Sequence, residues 1–374
     1  MDFDQDSPQR ITRLTPVADV LARIDALVKP VVPRKDAIAA VVGRVLADDV
    51  RIARHPRVPL ALRDGWAVSA EATADASAYA PVPLTGAARI DVGQPLPTSA
   101  DAVAPPDVVV HRHGEVEIVA PVTSGEGVLP AGGDGDGHGP VLRAGGRLTA
   151  MQAAALAAAG VTNMSVRVPI VRIARSRAGA DAVLDAAIDL VAREWTAAGA
   201  DVRRDHAGPV SLDDALGDDA ADAVLIIGGT GSGRDDASAA TLARLGRLEV
   251  HGVALTPGES AGFGLVGSRP VLLLPGRLDA ALAVSRVIGR HLLARLSNCN
   301  EPEPAERVRL NRKLASPLGL AELVPVRLKD GCAEPIASGY VSLSALMATN
   351  GWILVPPDSE GYAPGAEVML NRSP

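Results

Sequence analysis

An apolar run, Val224-Leu-Ile-Ile227, passes directly into Gly228-Gly-Thr-Gly-Ser-Gly-Arg-Asp-Asp236. Four consecutive apolar residues, with no polar alternation, predict a strand covered on both faces, as in a parallel sheet between helices. In such sheets ligands bind where the strands end. Gly228, Gly229, Gly231 and Gly233, with Thr230 and Ser232 between them, allow positive φ and can turn backbone amides toward an anion. Asp235 or Asp236 could cap the next helix or hold a metal. The dinucleotide fingerprint requires a glycine where Arg234 stands, and the phosphate loop of nucleotide hydrolases requires a Gly-Lys-Ser/Thr that is absent here. Taken alone, the loop fits either a tight turn or a phosphate cradle.

The surrounding pattern enlarges this unit. Strands at 170–174, 201–205, 223–227, 249–255 and 270–274 alternate with helices at 181–198, 236–246 and 278–296. That alternation predicts a three-layer α/β/α domain over 169–300 with a parallel sheet. Upstream, residues 1–9 read as a disordered polar tail, and 10–57 with 141–168 as a helical and linker domain. In it, Thr15 and Pro16 start one helix and a second covers Lys35 to Leu46. Short β-prone pieces such as V-V-V-H-R-H predict a β-rich domain inserted over 58–140. Its run at 132–139 lacks the ligand alternation and closing glutamate of a calcium loop and reads as a flexible surface insertion. After the stiff E-P-E-P-A-E segment at 301–306, strand-like pieces predict a small C-terminal β-barrel over 301–374. The fold class is thus α/β plus β, in an elongated multi-domain chain.

Several function classes are disfavoured. A chain of 374 residues with 47% hydrophobic content can bury more than one core. Its net charge of −7 argues against a nucleic-acid binder, so a phosphate ligand must be held locally by amides and a few arginines. Cys299 and Cys332 are the only cysteines, which with the absence of an apolar leader predicts a cytoplasmic protein. The apolar runs are too short for a membrane span. His111 and His113 alternate on one strand face without an identifiable third ligand and read as solvated. His206, His251 and His291 show no nucleophile-base pattern, and no Gly-x-Ser-x-Gly signature is present.

Motifs spread along the chain supply a stronger signal through their order. They are Gly43-Arg-Val-Leu-Ala-Asp-Asp-Val50, Arg63-Asp-Gly-Trp-Ala-Val68, Gly93-Gln-Pro-Leu-Pro97 with Asp101-Ala-Val103, Leu142 to Gly160, Gly228 to Asp236, Leu273-Leu-Pro-Gly276, and Ser338 to Pro356. In order and spacing this set resembles the molybdopterin molybdenumtransferase family (MoeA), which includes the gephyrin E domain. The resemblance implies binding of molybdopterin or adenylylated molybdopterin, cleavage of the adenylate with help from Mg2+, and transfer of molybdenum to the dithiolene. Carboxylates would hold the cation and lysines would offset anionic charge. Asp64, Asp213, Asp214 and Asp236 match the family's acidic positions, with Asp64 and Asp236 as metal ligands. Pro275, Gly276, Arg277 and Ser344 join the glycine loop as ligand-binding positions. The resemblance also implies a homodimer.

Departures from the family fall at the same site. Its K-P-G-K-P becomes Thr256-Pro-Gly-Glu-Ser260, exchanging two positive charges for one negative. Each such interaction is worth up to about 4 kcal/mol at 4 Å with an effective dielectric near 20. The Asp-Glu pair of S-T-G-D-E-L is absent from Ala174-Arg-Ser-Arg-Ala-Gly179. The G-E-D turn reads Gly125-Glu-Gly127, Val92 replaces a threonine, and Arg277 and Leu278 replace Asn and Pro. Arg175, Arg177, Arg234 and Arg277 stand where acids or amides occur in the family. They fit either surface arginines or a remodelled phosphate pocket. These features imply a divergent member. Either it still inserts a metal oxyanion, or it is a pseudoenzyme that binds a pterin or phosphorylated ligand and serves a client enzyme.

Overall fold

The computed structural model describes residues 9–112, 114–177, 179, 181–205, 211–302 and 304–372. The expectations for residues 1–8, His113 and His206 lie outside the described residues. The chain divides into two compact units, one drawn from 1–48, 144–153 and 163–374, the other from 49–143 and 154–162.

In the first unit, all five residues of the Ala223–Ile227 strand are buried. It lies inside a six-stranded sheet in the order Asp201–Arg204, Ile170–Arg175, Ala223–Ile227, Arg269–Leu274, Gly262–Val266, Arg247–His251. The first four strands are parallel, and Gly262–Val266 runs antiparallel to both of its neighbours, Arg269–Leu274 and Arg247–His251. The wholly parallel sheet expected from alternation is therefore corrected at one edge. The Gly262–Val266 strand escapes a propensity reading because glycines occupy two of its five positions. A Cβ on Gly264 would stand 2.3 Å from the Arg247 carbonyl oxygen, so close strand approach requires glycine there.

Alternate residues of the central strand serve opposite cores, which is why the run shows no polar alternation. Leu225 and Ile227 pack with Leu184, Ile188 and Trp195, whereas Val224 and Ile226 pack with Leu216, Ala239 and Leu242. Full burial of such side chains contributes about 1.5–3 kcal/mol each. The expected helix at 278–296 is continuous but contains a π-helical turn, Ser285–Gly289, between Leu278–Val284 and Arg290–Ser297. Trp195 donates its indole N–H to Ser285 Oγ at 3.0 Å, and its ring packs against Gly289. That contact accompanies the local widening of the helix.

Lys35 to Leu46 is not a helix. Arg34–Ala37 and Val45–Leu46 flank Asn163–Arg167 in a three-stranded antiparallel sheet, joined by a 3-10 turn at Ile38–Ala40. Gly43 adopts φ +81°, and the β-branched Val41, Val42 and Val45 suit the extended alternative offered by a partner strand. The first helix spans Val17–Leu27, with Pro16 as its cap residue in place of Thr15.

Five C-terminal strands close into a barrel in the order Ala321–Lys329, Cys332–Pro335, Glu306–Leu310, Glu367–Arg372, Gly351–Val355, and back to Ala321–Lys329. Leu255–Thr256, expected to continue the preceding strand of the α/β sheet, instead pairs with Ala321–Lys329. Val324, Val326, Ile353, Val355 and Leu370 fill the barrel core.

The second unit contains two three-stranded sheets, with Gly65–Val68 central in one and Glu115–Ile118 in the other. Trp66, Val68, Ala102, Ala104 and Ile118 share a core. The 132–139 run, expected to be flexible, is tied down: Gly132 N donates to Pro56 O at 2.8 Å and Gly135 N to His55 O at 3.1 Å.

Candidate active site

Parallel strands direct their carboxyl ends to one edge, and the segments leaving them form the site. Gly228 has φ +95° and Gly229 φ +65°, so the chain turns sharply where Ala223–Ile227 ends. Side chains at these positions would collide with neighbours: a Cβ on Gly228 would stand 2.6 Å from Ser176 Oγ, and one on Gly229 2.7 Å from Ser238 Oγ. Gly228 N donates to Leu274 O at 2.8 Å, and a Cβ on Gly276 would stand 3.4 Å from Gly228 Cα. Pro275, Gly276 and Arg277 thus lie beside the glycine loop, as the sequence predicts.

The turn carrying the two lost lysine positions is also here. Thr230 and Ser260 hydroxyls are 2.8 Å apart. Thr256 is buried. Glu259 folds back so that its carboxylate accepts from Gly258 N at 3.1 Å.

Arg277 is not a free cation. Asp279, 3% exposed, accepts from its Nε at 3.1 Å and its Nη2 at 2.5 Å, and the guanidinium carbon lies 4.9 Å from the Tyr340 ring centroid. The hydrogen bond to Asp279 is the main cause that holds the Arg277 pKa above its ordinary value, with Glu259 and Tyr340 also raising it. Asp279 further accepts from Val341 N at 3.1 Å, which ties the barrel's Ser338–Ser344 loop to the site. On that loop's side, Ser338 Oγ and Gly339 N both donate to the fully buried Glu322. Ser344 sits exposed at the start of Leu343–Ala348, its hydroxyl 2.9 Å from that of Ser342, which caps the helix.

The other arginines divide. Arg175 is buried and paired with Asp185, while Arg177 pairs with Asp181 at 2.9 Å. Arg175 and Arg177 therefore serve the start of the Ala182–Ala197 helix. Arg234 is exposed and has no ion pair among the described residues. It is the loop's remaining cation.

The expected carboxylates have separate local partners. Asp236 accepts from Gly233 N at 3.0 Å and so closes the glycine turn. Asp213 pairs with Arg244 at 2.6 Å, and Asp214 N is held by Ser211 Oγ at the start of Leu212–Gly217. Both aspartates line a separate cavity of about 590 Å³ with Arg172, Arg203 and Asp205. Asp64 belongs to the second unit, where its carboxylate accepts from Val92 N at 2.8 Å. Among the described residues no group of three or more His, Cys, Asp or Glu is placed to hold a metal ion. Asp64 and Asp236, at which the resemblance implies Mg2+, fall in different compact units.

One residue of the site escapes sequence reading altogether. Gln9, assigned there to the disordered tail, is 2% exposed. Its amide nitrogen donates to Gly229 O and Gly231 O, each at 2.8 Å, and its oxygen accepts from Ala239 N at 3.1 Å and Ala240 N at 3.3 Å. No local signal marks a glutamine that acts more than two hundred residues away. Asp279 carried a signal, two positions after Arg277, and Tyr340 carried none.

Known proteins share the order of these regions and the fold. Three family models match in chain order: MoeA N-terminal region (domain I and II) over 15–160, a molybdopterin-binding domain over 174–295, and MoeA C-terminal region (domain IV) over 307–371. A protein of Methanocaldococcus jannaschii assigned to molybdopterin biosynthesis is 27% identical, the match covering 88% of this chain and 89% of that one. Molybdopterin molybdenumtransferase 1 of Mycobacterium tuberculosis is 34% identical over 61% of this chain and 57% of its own. The crystal structure of a molybdopterin biosynthesis moeA protein from Pyrococcus horikoshii superposes with TM-score 0.75 at 24% identity, covering 96% of this chain and all of that one, which shows the shared fold.

Proposed function

The chain belongs to the MoeA family of molybdenum cofactor biosynthesis, matched by its three family models in order, and from that premise we propose that it holds a phosphorylated pterin but does not insert molybdenum. The ligand is molybdopterin or its adenylylated form, with its phosphate against the Gly228–Gly233 loop and Arg234. The observation that carries this reading is the electrostatic state of the crevice. Arg277 is paired with Asp279, and Thr256 and Glu259 occupy the positions of the family's lysines. Cleaving an adenylate and binding an oxyanion both gather negative charge, and a cation-poor site cannot stabilise that gain.

Binding is a lesser demand than turnover. A single phosphate can be met by loop amides and one guanidinium through charge-assisted hydrogen bonds. Asp236 holds the turn in shape through the Gly233 amide, and no step is routed through a cation. Glu322 and Asp279 position the Ser338–Ser344 loop beside the pocket. The held pterin would be kept for a cofactor-dependent client enzyme.

Two measurements test the proposal. Expressed in a strain lacking its molybdenumtransferase, the protein is expected not to restore molybdoenzyme activity, while the purified protein binds molybdopterin saturably. Rescue to the wild-type level overturns the loss of metal insertion. Absence of binding overturns the pterin-holding role and leaves a scaffold.

A further inference from the structure

We infer that Gln9 is a positioning residue that sets the glycine loop in its ligand-receiving form, an inference that rests on the phosphate-binding reading of that loop. A primary amide offers two donors and one carbonyl on opposite sides, and Gln9 uses both. Only one orientation of the amide satisfies all four contacts, because a flipped group would set its oxygen against the carbonyls of Gly229 and Gly231 and its NH2 against two N–H groups. The side chain therefore bridges the loop and the first turn of Ser238–Leu245. Residues just beyond it are anchored: Thr15 N donates to Gly252 O and Ala254 N to Thr15 O, at 2.9 and 2.8 Å. Gly252 lies so close to Ile11 that a Cβ there would stand 2.4 Å from Ile11 Cγ2.

Pinning carbonyls fixes amides. In a trans peptide the C=O of one residue and the N–H of the next point in opposite directions. Gln9 holds Gly231 O, so the Ser232 N–H faces away from it. His251 Nε2 lies 2.8 Å from Thr230 O and turns the Gly231 N–H in the same manner. Neither amide has a hydrogen-bond partner among the described residues, and Ser232 is exposed. Two successive amides left without partners, in the loop that also carries the exposed Arg234, are available to donate to phosphate oxygens. The loop's glycines give it freedom to collapse, and Gln9 removes that freedom before the ligand arrives.

The substitution Gln9→Glu separates positioning from general support. A carboxylate still accepts from Ala239 and Ala240 at a helix N-terminus, where negative charge is favourable, but it cannot donate to the two loop carbonyls and repels them. The melting temperature is expected to stay within about 2 °C of the parent, since the cap survives. Amide hydrogen exchange over 229–233 is expected to rise at least about tenfold as the loop opens locally. Affinity for inorganic phosphate and for adenosine monophosphate, titrated by calorimetry, is expected to fall at least about tenfold. Unchanged loop exchange in the variant, or unchanged affinity beside a parent that binds, overturns the role of Gln9. A parent protein that binds neither probe overturns the ligand-receiving role and, if molybdopterin also fails to bind, the functional reading with it. Faster loop exchange with weakened affinity at an unchanged melting temperature supports it.

Discussion

Replacing Asp279 by alanine should expose how much the α/β domain and the barrel depend on one carboxylate. Asp279 is buried and receives three hydrogen bonds, two from Arg277 and one from Val341 N. The two partners respond differently to its loss. The Arg277 side chain is 55% exposed, so water re-solvates it and the broken pair costs about 0.5–1 kcal/mol. The Val341 amide is in a residue only 3% exposed and loses a charged acceptor, which costs about 1.5–3 kcal/mol. Asp279→Ala should therefore destabilise the unit by about 2–4 kcal/mol, whereas Arg277→Ala leaves a buried carboxylate with only the Val341 amide and should cost about 3–5 kcal/mol. Urea titration followed by tryptophan fluorescence, with Trp195 and Trp352 both buried in this unit, measures the midpoints at constant slope. A cost below about 1 kcal/mol for Arg277→Ala would mean that the Asp279 carboxylate is readily re-solvated when its partner is removed, and would refute the reasoning. A cost below about 1 kcal/mol for Asp279→Ala would refute the proposed bridge to the barrel loop.

Two further outcomes are expected. Asp181 caps the Ala182–Ala197 helix by accepting from Val183 N and Leu184 N, and the hydrogen bond from Arg177, foremost, with these amides lowers its pKa below the usual carboxylate value. A depressed folded pKa gives stability that is present above the unfolded pKa of about 3.9 and is lost as pH falls through the folded value. Asp181→Ala should thus cost about 1 kcal/mol at neutral pH and little in strong acid, read from thermal midpoints across pH. The protein should also be a homodimer, and light scattering at micromolar concentration that returns the monomer mass of 38.3 kDa would contradict this.

Backbone-local chemistry was open to reading from sequence. The Val224–Ile227 run reported a doubly covered strand because burial on both faces removes polar alternation. The Gly228–Gly233 loop reported a sharp turn at the strand's end because glycine adopts positive φ, as at Gly228 and Gly229, without steric cost. The motif order likewise anticipated the family and the closed barrel. Where propensity misled, an outside partner had decided. Lys35–Leu46 has apolar residues that suit a helix, but Asn163–Arg167 offered it a ladder of hydrogen bonds. Gly262–Val266 became a strand because its glycines permit close approach of a neighbour.

The site's electrostatics belonged to the tertiary structure. Arg277 could be named from its place after Leu273-Leu-Pro-Gly276, yet its pairing with Asp279 and its stacking on Tyr340, which arrives from the barrel, are set only by the fold. Asp213 and Asp236 could be named as acids, yet only the fold supplies their partners, Arg244 for one and the Gly233 amide for the other. Gln9 is the limiting case. Its side chain is polar and unremarkable in sequence, and only the fold brings it to four backbone groups of a loop formed over two hundred residues later. Sequence records which groups a residue can offer; a hydrogen bond also needs a partner within about 3 Å, and chain folding alone supplies that distance.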